Sequence, residues 1–249
     1  MQLTLHHTLP TAVQPSPNVL RVAAMFGLGL DAQRRATIIP PTTLTLQGGQ
    51  VVFITGASGG GKSTLLRLIA DAATARHAKV IRFDELAPPA DRPLIDGFAD
   101  RPLEEVTALL SLAGLNDAWV MLRTPAELSD GQRYRLRLAH AIAKVSNWPE
   151  KLDGAQRRLR FSEAGSNPTQ PTAPPLTLIL ADEFAATLDR LTAAIIARNV
   201  RRWTRRPQAR QVCFIAATTH DDLLEALEPD VLIEKHPGAR IEIATRAAL

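Results

Sequence analysis

The chain has 249 residues, 45% of them hydrophobic and 22% charged, with a formal net charge of +4. This composition excludes a disordered chain and supplies apolar material for one large core, or one core with a small subdomain. No stretch reaches the roughly 20 apolar residues of a membrane-spanning helix, and a single cysteine, Cys213, excludes an internal disulfide and fits a reducing, cytoplasmic compartment.

Taken in chain order, Met1–Pro17 is polar and proline-bearing, without the charged start and apolar block of a secretory signal. It is expected to be flexible, with His6 and His7 too isolated to form a metal site. Val19–Phe26 reads as a strand. Thr42–Gln47 alternates before Gly48–Gly49 and reads as a strand entering a turn. Without a crossover helix, this early region is expected to form an antiparallel flank. Val51–Thr55 is a continuous β-branched and apolar run, the pattern of a strand buried on both faces. Lys62–Ala75 follows as a helix, Val80–Phe83 as a short strand, Leu103–Leu112 and Gly131–Val145 as helices. Asn147–Pro175 carries Pro149, Pro168, Pro171, Pro174 and Pro175 and reads as a surface insertion. Leu176–Leu180 is the next buried strand, Leu191–Trp203 a helix, Val212–Ala217 a strand with Cys213 as a buried small residue, and Asp221–Leu227 a helix. Val231–Glu234 and Arg240–Ala244 end the pattern as strands. Strands alternating with helices predict an α/β fold with a mainly parallel core sheet and flanking helices. The expected organisation is one domain over 1–249, with a reduced helical subdomain over 87–145 and the Pro-rich insertion over 147–175.

Three motifs carry chemistry. Gly56-Ala57-Ser58-Gly59-Gly60-Gly61-Lys62-Ser63 matches G-x-x-x-x-G-K-[ST] between a buried strand and an apolar-striped helix. Glycines permit the sharp turn that aims several N–H groups inward at phosphate oxygens, and the helix N-terminus adds partial positive charge there. Lys62 is placed to reach the β- and γ-phosphates, and the Ser63 hydroxyl, followed by Thr64, to meet Mg²⁺. The strand Leu176–Ala181 ends in Asp182 and Glu183. Placed beside the phosphate-loop strand, it delivers both carboxylates to the same sheet edge, Asp182 for Mg²⁺ and Glu183 to polarise a water for in-line attack. Leu128-Ser129-Asp130-Gly131-Gln132 precedes a helix that Ser129 can cap, leaving a second N-terminus suited to phosphate.

In this order the motifs resemble those of ABC-type ATPases, with Ser129–Gln132 similar to the LSGGQ signature but for Asp130 in place of a glycine. The resemblance covers nearly the whole chain outside 147–175 and the first dozen residues. It implies further roles: Ala186-Thr-Leu-Asp189 as the D-loop, His220 in Ala216-Ala-Thr-Thr-His-Asp as the switch histidine, and Phe26 as the aromatic that stacks on adenine. It also implies ATP and Mg²⁺ as ligands and a head-to-tail dimer. Each ATP would lie between one subunit's Lys62 loop and the other's Ser129 helix end. The segments LSDGQRYR, ADEFAATLD and ATTHDDL are most like the ABC-type module sometimes joined to a predicted acetyltransferase domain.

Two departures bear on the partner. Transporter members of that family carry a glutamine between the phosphate loop and the signature, yet no glutamine occurs between Gln50 and Gln132. Asp84 or Glu85 is a candidate substitute, a solvated loop the plainer alternative. The intervening region is also short, and the second departure is the insertion at Asn147–Pro175, which separates the signature helix from the acidic strand. Both favour a non-transporter ATPase that remodels an unidentified protein partner or nucleic acid, the latter through Arg198, Arg201, Arg202, Arg205, Arg206 and Arg210, with Arg157, Arg158 and Arg160 extending the surface. The bland alternative is a helix whose Ile195, Ile196, Val200 and Trp203 face the sheet while its arginines are solvated. The other functional readings are a transporter's nucleotide-binding subunit with a separate membrane protein, and an ATP-dependent regulatory switch.

Overall fold

The computed structural model describes residues 1–11, 13–29, 34–99, 101–145 and 175–246. The expected Pro-rich insertion, Pro175 apart, lies outside them. The N-terminus is not flexible: β1 (Gln2–Thr11) pairs antiparallel with β2 (Arg34–Thr45) from Gln2–Thr45 to Thr11–Arg34. The physical reason is a period-two pattern. Leu3 and Leu5 point inward with Ile39 and Leu44 and are almost fully buried. His6 and His7 are strand residues.

Between these strands, the run expected as a strand is helix α1 (Pro17–Met25). Ser16 caps it, its Oγ accepting from Val19 N at 3.2 Å, and Pro17 supplies a preset φ in the first turn, where its missing N–H costs nothing. The apolar run suggested a strand, but its Leu20, Val22, Met25 and Phe26 are exposed and only Ala23 is buried.

The central sheet has the strand order β4–β5–β6–β3–β7–β8, with β3 at Val51–Thr55, β4 at Lys79–Arg82, β5 at Thr177–Ala181, β6 at Val212–Ala217, β7 at Val231–Lys235 and β8 at Ile241–Thr245. All neighbours are parallel except β7–β8. On one face, Val52, Ile54, Leu178, Leu180, Cys213 and Ile215 pack under the β1–β2 sheet and α2 (Lys62–Thr74). On the other, Val51, Phe53, Ile179 and Phe214 pack under α3 (Leu103–Leu112), α5 (Asp130–Ala143) and α6 (Arg190–Thr204). Two covered faces explain why these strands read as continuous apolar runs. Each fully buried Leu or Ile, such as Leu65 and Ile69 of α2, contributes about 1.5–3 kcal/mol. Cys213 lies within this layer, and burial pushes its thiol up to about 12, so it is an inert core residue. The short α4 (Ala118–Met121) completes the helical segment between β4 and β5, and α7 (Leu224–Leu227), entered through a 3₁₀ turn at Asp221–Leu223, lies between β6 and β7.

One ion pair locks this arrangement. Arg201, 4% exposed on α6, makes a bidentate contact with Asp230, at 2.7 Å from Oδ2 and 2.8 Å from Oδ1. Asp230 Oδ2 also accepts from Val51 N at 2.8 Å. The helix is thereby tied to the first residue of the strand that leads into the phosphate loop. The arginine run is therefore not simply solvated. Arg201 is internal, Arg205 pairs with Glu228 at 2.8 Å, and Arg202 donates to Asn199.

Candidate nucleotide site

Strand β3 ends at Thr55, and Gly56–Gly61 turns directly into α2. Gly56 and Gly61 have φ of 142° and 95°. A Cβ on Gly56 would sit 2.0 Å from the Lys235 carbonyl oxygen, so close backbone packing as well as conformation demands glycine there. Gly61 is the N-cap of α2 and offers no side-chain acceptor. The first-turn N–H groups are left to be met from outside the helix. Lys62 is nearly buried, and its Nζ donates to Gly56 O at 2.8 Å and Ala57 O at 2.9 Å. Burial lowers its pKa from the ordinary lysine value, while the charges of Asp182 and Glu183 oppose that shift.

The loop opens on a cleft of about 460 Å³ that brings together Ser58, Gly59, Gly61, Lys62, Ser63 and Thr64 with Asp182 and Glu183. Gly56, Ala57 and Gly60 complete the loop around it. The acidic strand does not adjoin the phosphate-loop strand as expected, because β6 stands between them. The carboxylates still reach the cleft, since all three parallel strands end at the same edge. Asp182 Oδ1 accepts from Glu183 N at 3.0 Å. Glu183 and Ala185 adopt φ of 49° and 59°, and the turn is held by Phe184 N donating to Ala217 O and Ala185 N donating to the buried Tyr134 hydroxyl, each at 2.8 Å.

This cleft suits a magnesium polyphosphate on its own geometry. Glycines keep side chains out of the loop, an uncapped helix N-terminus and an ammonium group offer donors, and Ser63 and Asp182 offer the oxygen ligands Mg²⁺ prefers. Ala186, the first residue of the expected D-loop, lines the same cleft. Sequence reasoning gave no site role to Thr218 and Thr219, which also line it and whose signal was the Thr-Thr preceding His220, or to Tyr134, which binds the acidic turn to α5. His220 does not line the cleft; it follows Thr219 in sequence, its backbone N–H donating to Thr218 Oγ1 at 3.2 Å.

Other expected site residues stand elsewhere. Ser129, Gly131 and Gln132 do not line this cleft. They form an exposed capping box: Gln132 N donates to Ser129 Oγ at 3.3 Å and Ser129 N to Gln132 Oε1 at 3.0 Å. A Cβ on Gly131 would lie 3.2 Å from Leu188 Cδ2, so this helix end packs on the segment after the acidic pair. Asp130 is ion-paired to Arg133. Asp189 caps α6, accepting from Thr192 N at 2.9 Å, and its hydrogen bonds with Thr192 hold its carboxyl below the usual carboxylate range. Phe26 ends α1, 74% exposed and outside the cleft lining. Of the two acids after β4, Asp84 shares a small hollow with Ser63 and Asp182, whereas Glu85 pairs with Arg82 at 3.4 Å.

A phosphate loop between β3 and α2, with an acidic pair two strands away on the same edge, defines a P-loop nucleotide-binding protein. The "ABC transporter" family model matches residues 40–97. The chain is 33% identical over 164 residues to the methionine import ATP-binding protein MetN 1 of Pectobacterium atrosepticum, covering 53% of this chain and 46% of that protein. It is 31% identical over 160 residues to the aliphatic sulfonates import ATP-binding protein SsuB of Albidiferax ferrireducens, covering 62% and 51%. The chain thus spans about half the length of the curated relatives it matches. Its fold matches the dimeric structure of MJ0796, a bacterial ABC transporter cassette, with a TM-score of 0.58 at 16% identity over 97% of this chain and 98% of that one. The same cassette in a post-hydrolysis state bound to ADP and Pi matches at 0.56, with the same identity and coverage. The chain has the ABC cassette fold, its residues 40–97 match the ABC transporter family model, and it is similar to these import ATP-binding proteins over about half of their length; ATP with Mg²⁺ is the ligand pair of that class. Among the described residues, no helix is long and apolar enough to cross a membrane.

Proposed function

We propose that this chain binds and hydrolyses MgATP as a head-to-tail dimer and drives a separate membrane partner of the import type. The observation that carries it is the separation of the two phosphate-binding ends. The Lys62 loop and the acidic pair share a cleft, whereas the Ser129 helix end faces outward from the same chain. Each half-site is complete only against a second copy. In that arrangement Lys62 and the loop N–H groups hold the polyphosphate, Ser63 and Asp182 hold Mg²⁺, Glu183 accepts a proton from the attacking water, and His220 contacts the γ-phosphate. Bound Mg²⁺ neutralises charge on the phosphates. ATP binding then favours the closed dimer and hydrolysis releases it.

The import roles of the relatives favour the import subunit over the non-transporter remodelling role expected from the sequence. A nucleic-acid surface on α6 is disfavoured by the internal Arg201 and the pairing of Arg205. One observation keeps the soluble remodelling role as a second reading, with its likeness to the acetyltransferase-linked module: the segment after β4 has Asp84, not a glutamine, beside Ser63 and Asp182.

Turnover measured against protein concentration tests the dimer. The rate is expected to rise faster than linearly, and strictly linear turnover would exclude a composite site. Stimulation by DNA or RNA that fades with salt would favour the soluble reading, and co-purification with a polytopic membrane protein the importer reading. Asp84, in one hollow with Ser63 and Asp182, is proposed to steady these two metal-holding side chains without itself reaching the ion. Asp84→Asn is expected to raise the Mg²⁺ concentration for half-maximal turnover on the order of tenfold. An unchanged Mg²⁺ dependence would make Asp84 a solvated loop residue.

A further inference from the structure

Strand β7 carries a lysine where its pattern calls for an apolar residue. Val231 and Ile233 point into the core layer between the central sheet and α2, beside Val52 and Ile54 of β3, and Lys235, next on the same face, is 0% exposed. Its Nζ donates to Gly238 O at 2.6 Å and to His236 O. Both acceptors are uncharged carbonyls, and no ion pair among the described residues involves Lys235. The nearby acids face the other way. Glu234 and His236 alternate to the opposite side of β7, where His236 and Arg240 contact Glu242. Burying an ammonium group without an anion is costly and lowers its pKa from the ordinary lysine value, so a polyanion brought nearby would stabilise its charged form.

Its position supplies the candidate. The Lys235 carbonyl oxygen packs against Gly56, and its Cε and Nζ would lie 3.5 and 3.9 Å from a Cβ on Gly61, the residue before Lys62. The ammonium therefore sits against the last residue of the phosphate loop, on the side where β7 borders β3. We infer that Lys235 is a positioning residue of the phosphate site, a second cation under the loop that is compensated by the polyphosphate of a bound nucleotide. It acts through the loop and not by contact, because it has no exposed surface. Without nucleotide it is a buried unpaired charge that destabilises the fold. With nucleotide it adds to the field that Lys62 and the α2 N-terminus create.

This assignment rests on the proposed MgATP site, and the experiment separates the two. ATP and ADP affinities and thermal unfolding are measured for the unaltered chain, Lys235→Met and Lys235→Gln. Met keeps the length and removes the charge; Gln also keeps donors for the turn carbonyls. Both variants are expected to bind ATP and ADP roughly tenfold more weakly, the scale of one charge acting over several ångströms at intermediate dielectric. Their unliganded melting temperatures are expected to hold or rise, because an unpaired buried charge has been removed. A purely structural lysine gives the reverse, a lower unliganded melting temperature. That result in both variants, loss of the fold in both, or affinity equal to the unaltered chain in a folded variant overturns the assignment while leaving the ATP site intact. Failure of the unaltered chain to bind ATP overturns both.

Discussion

Replacing Glu183 by glutamine is expected to leave ATP binding intact, slow hydrolysis by on the order of 10²–10⁴-fold, and hold two subunits together in MgATP. The side chain keeps its size and its place in the cleft but can no longer accept a proton from water. Little else should change. Glu183 sits in a left-handed turn whose conformation is fixed by Phe184 N on Ala217 O and Ala185 N on the Tyr134 hydroxyl, contacts that do not involve its carboxylate. Asp182 remains to balance Lys62 and to meet the metal. Light scattering at micromolar protein, with phosphate release measured alongside, checks the result. A variant that stays monomeric in MgATP would sink the sandwich arrangement, and one that hydrolyses at the normal rate would remove Glu183 as the base.

Arg201→Met is expected to destabilise the fold by about 3 kcal/mol, the lower end for breaking a buried pair, since the Asp230 side chain keeps 22% exposure. For a domain of this size that is a fall in melting temperature of roughly 6–12 °C. The variant leaves a carboxylate with the Val51 N–H as its hydrogen bond and only the more distant charge of Arg246. The loss should depend on pH in a defined direction. Burial raises the Asp230 pKa, but the hydrogen bonds from Arg201 and Val51 outweigh it and hold the carboxyl below its ordinary value. A carboxyl depressed on folding stabilises the protein above its unfolded pKa of about 3.9 and loses that contribution as pH falls through the folded value. The difference between the two proteins should therefore be full near neutrality and shrink below about pH 4. Melting curves across that range check it, and a difference independent of pH would mean the arginine acts by packing alone.

The phosphate loop and acidic pair that meet in the cleft were legible in the sequence because each lies in a short contiguous segment. Gly56–Ser63 requires glycines and a lysine at fixed spacing, and Asp182–Glu183 ends an apolar run; both are read without knowing what surrounds them. The buried strands β3, β5 and β6 were equally plain, since covering both faces leaves an unbroken apolar stretch. Errors fell where local pattern was ambiguous. The apolar residues of α1 suggested a strand, although Ser16-Pro17 marked a helix start, and the Leu3/Leu5 alternation of β1 was overlooked behind its polar neighbours.

Only the tertiary structure decided what depends on residues distant in sequence. It placed β6 between the two strands that carry the site, and it drew Arg201 from a basic helix face to Asp230. It separated Asp84 from Glu85 by what each one faces. It also set Lys235 against Gly56 and Gly61, about which the sequence is silent. Spacing along a chain fixes which groups a short loop or one helix turn can present. Which charge lies beneath that loop depends on strand order and side-chain direction, and these are set by packing over the whole sheet.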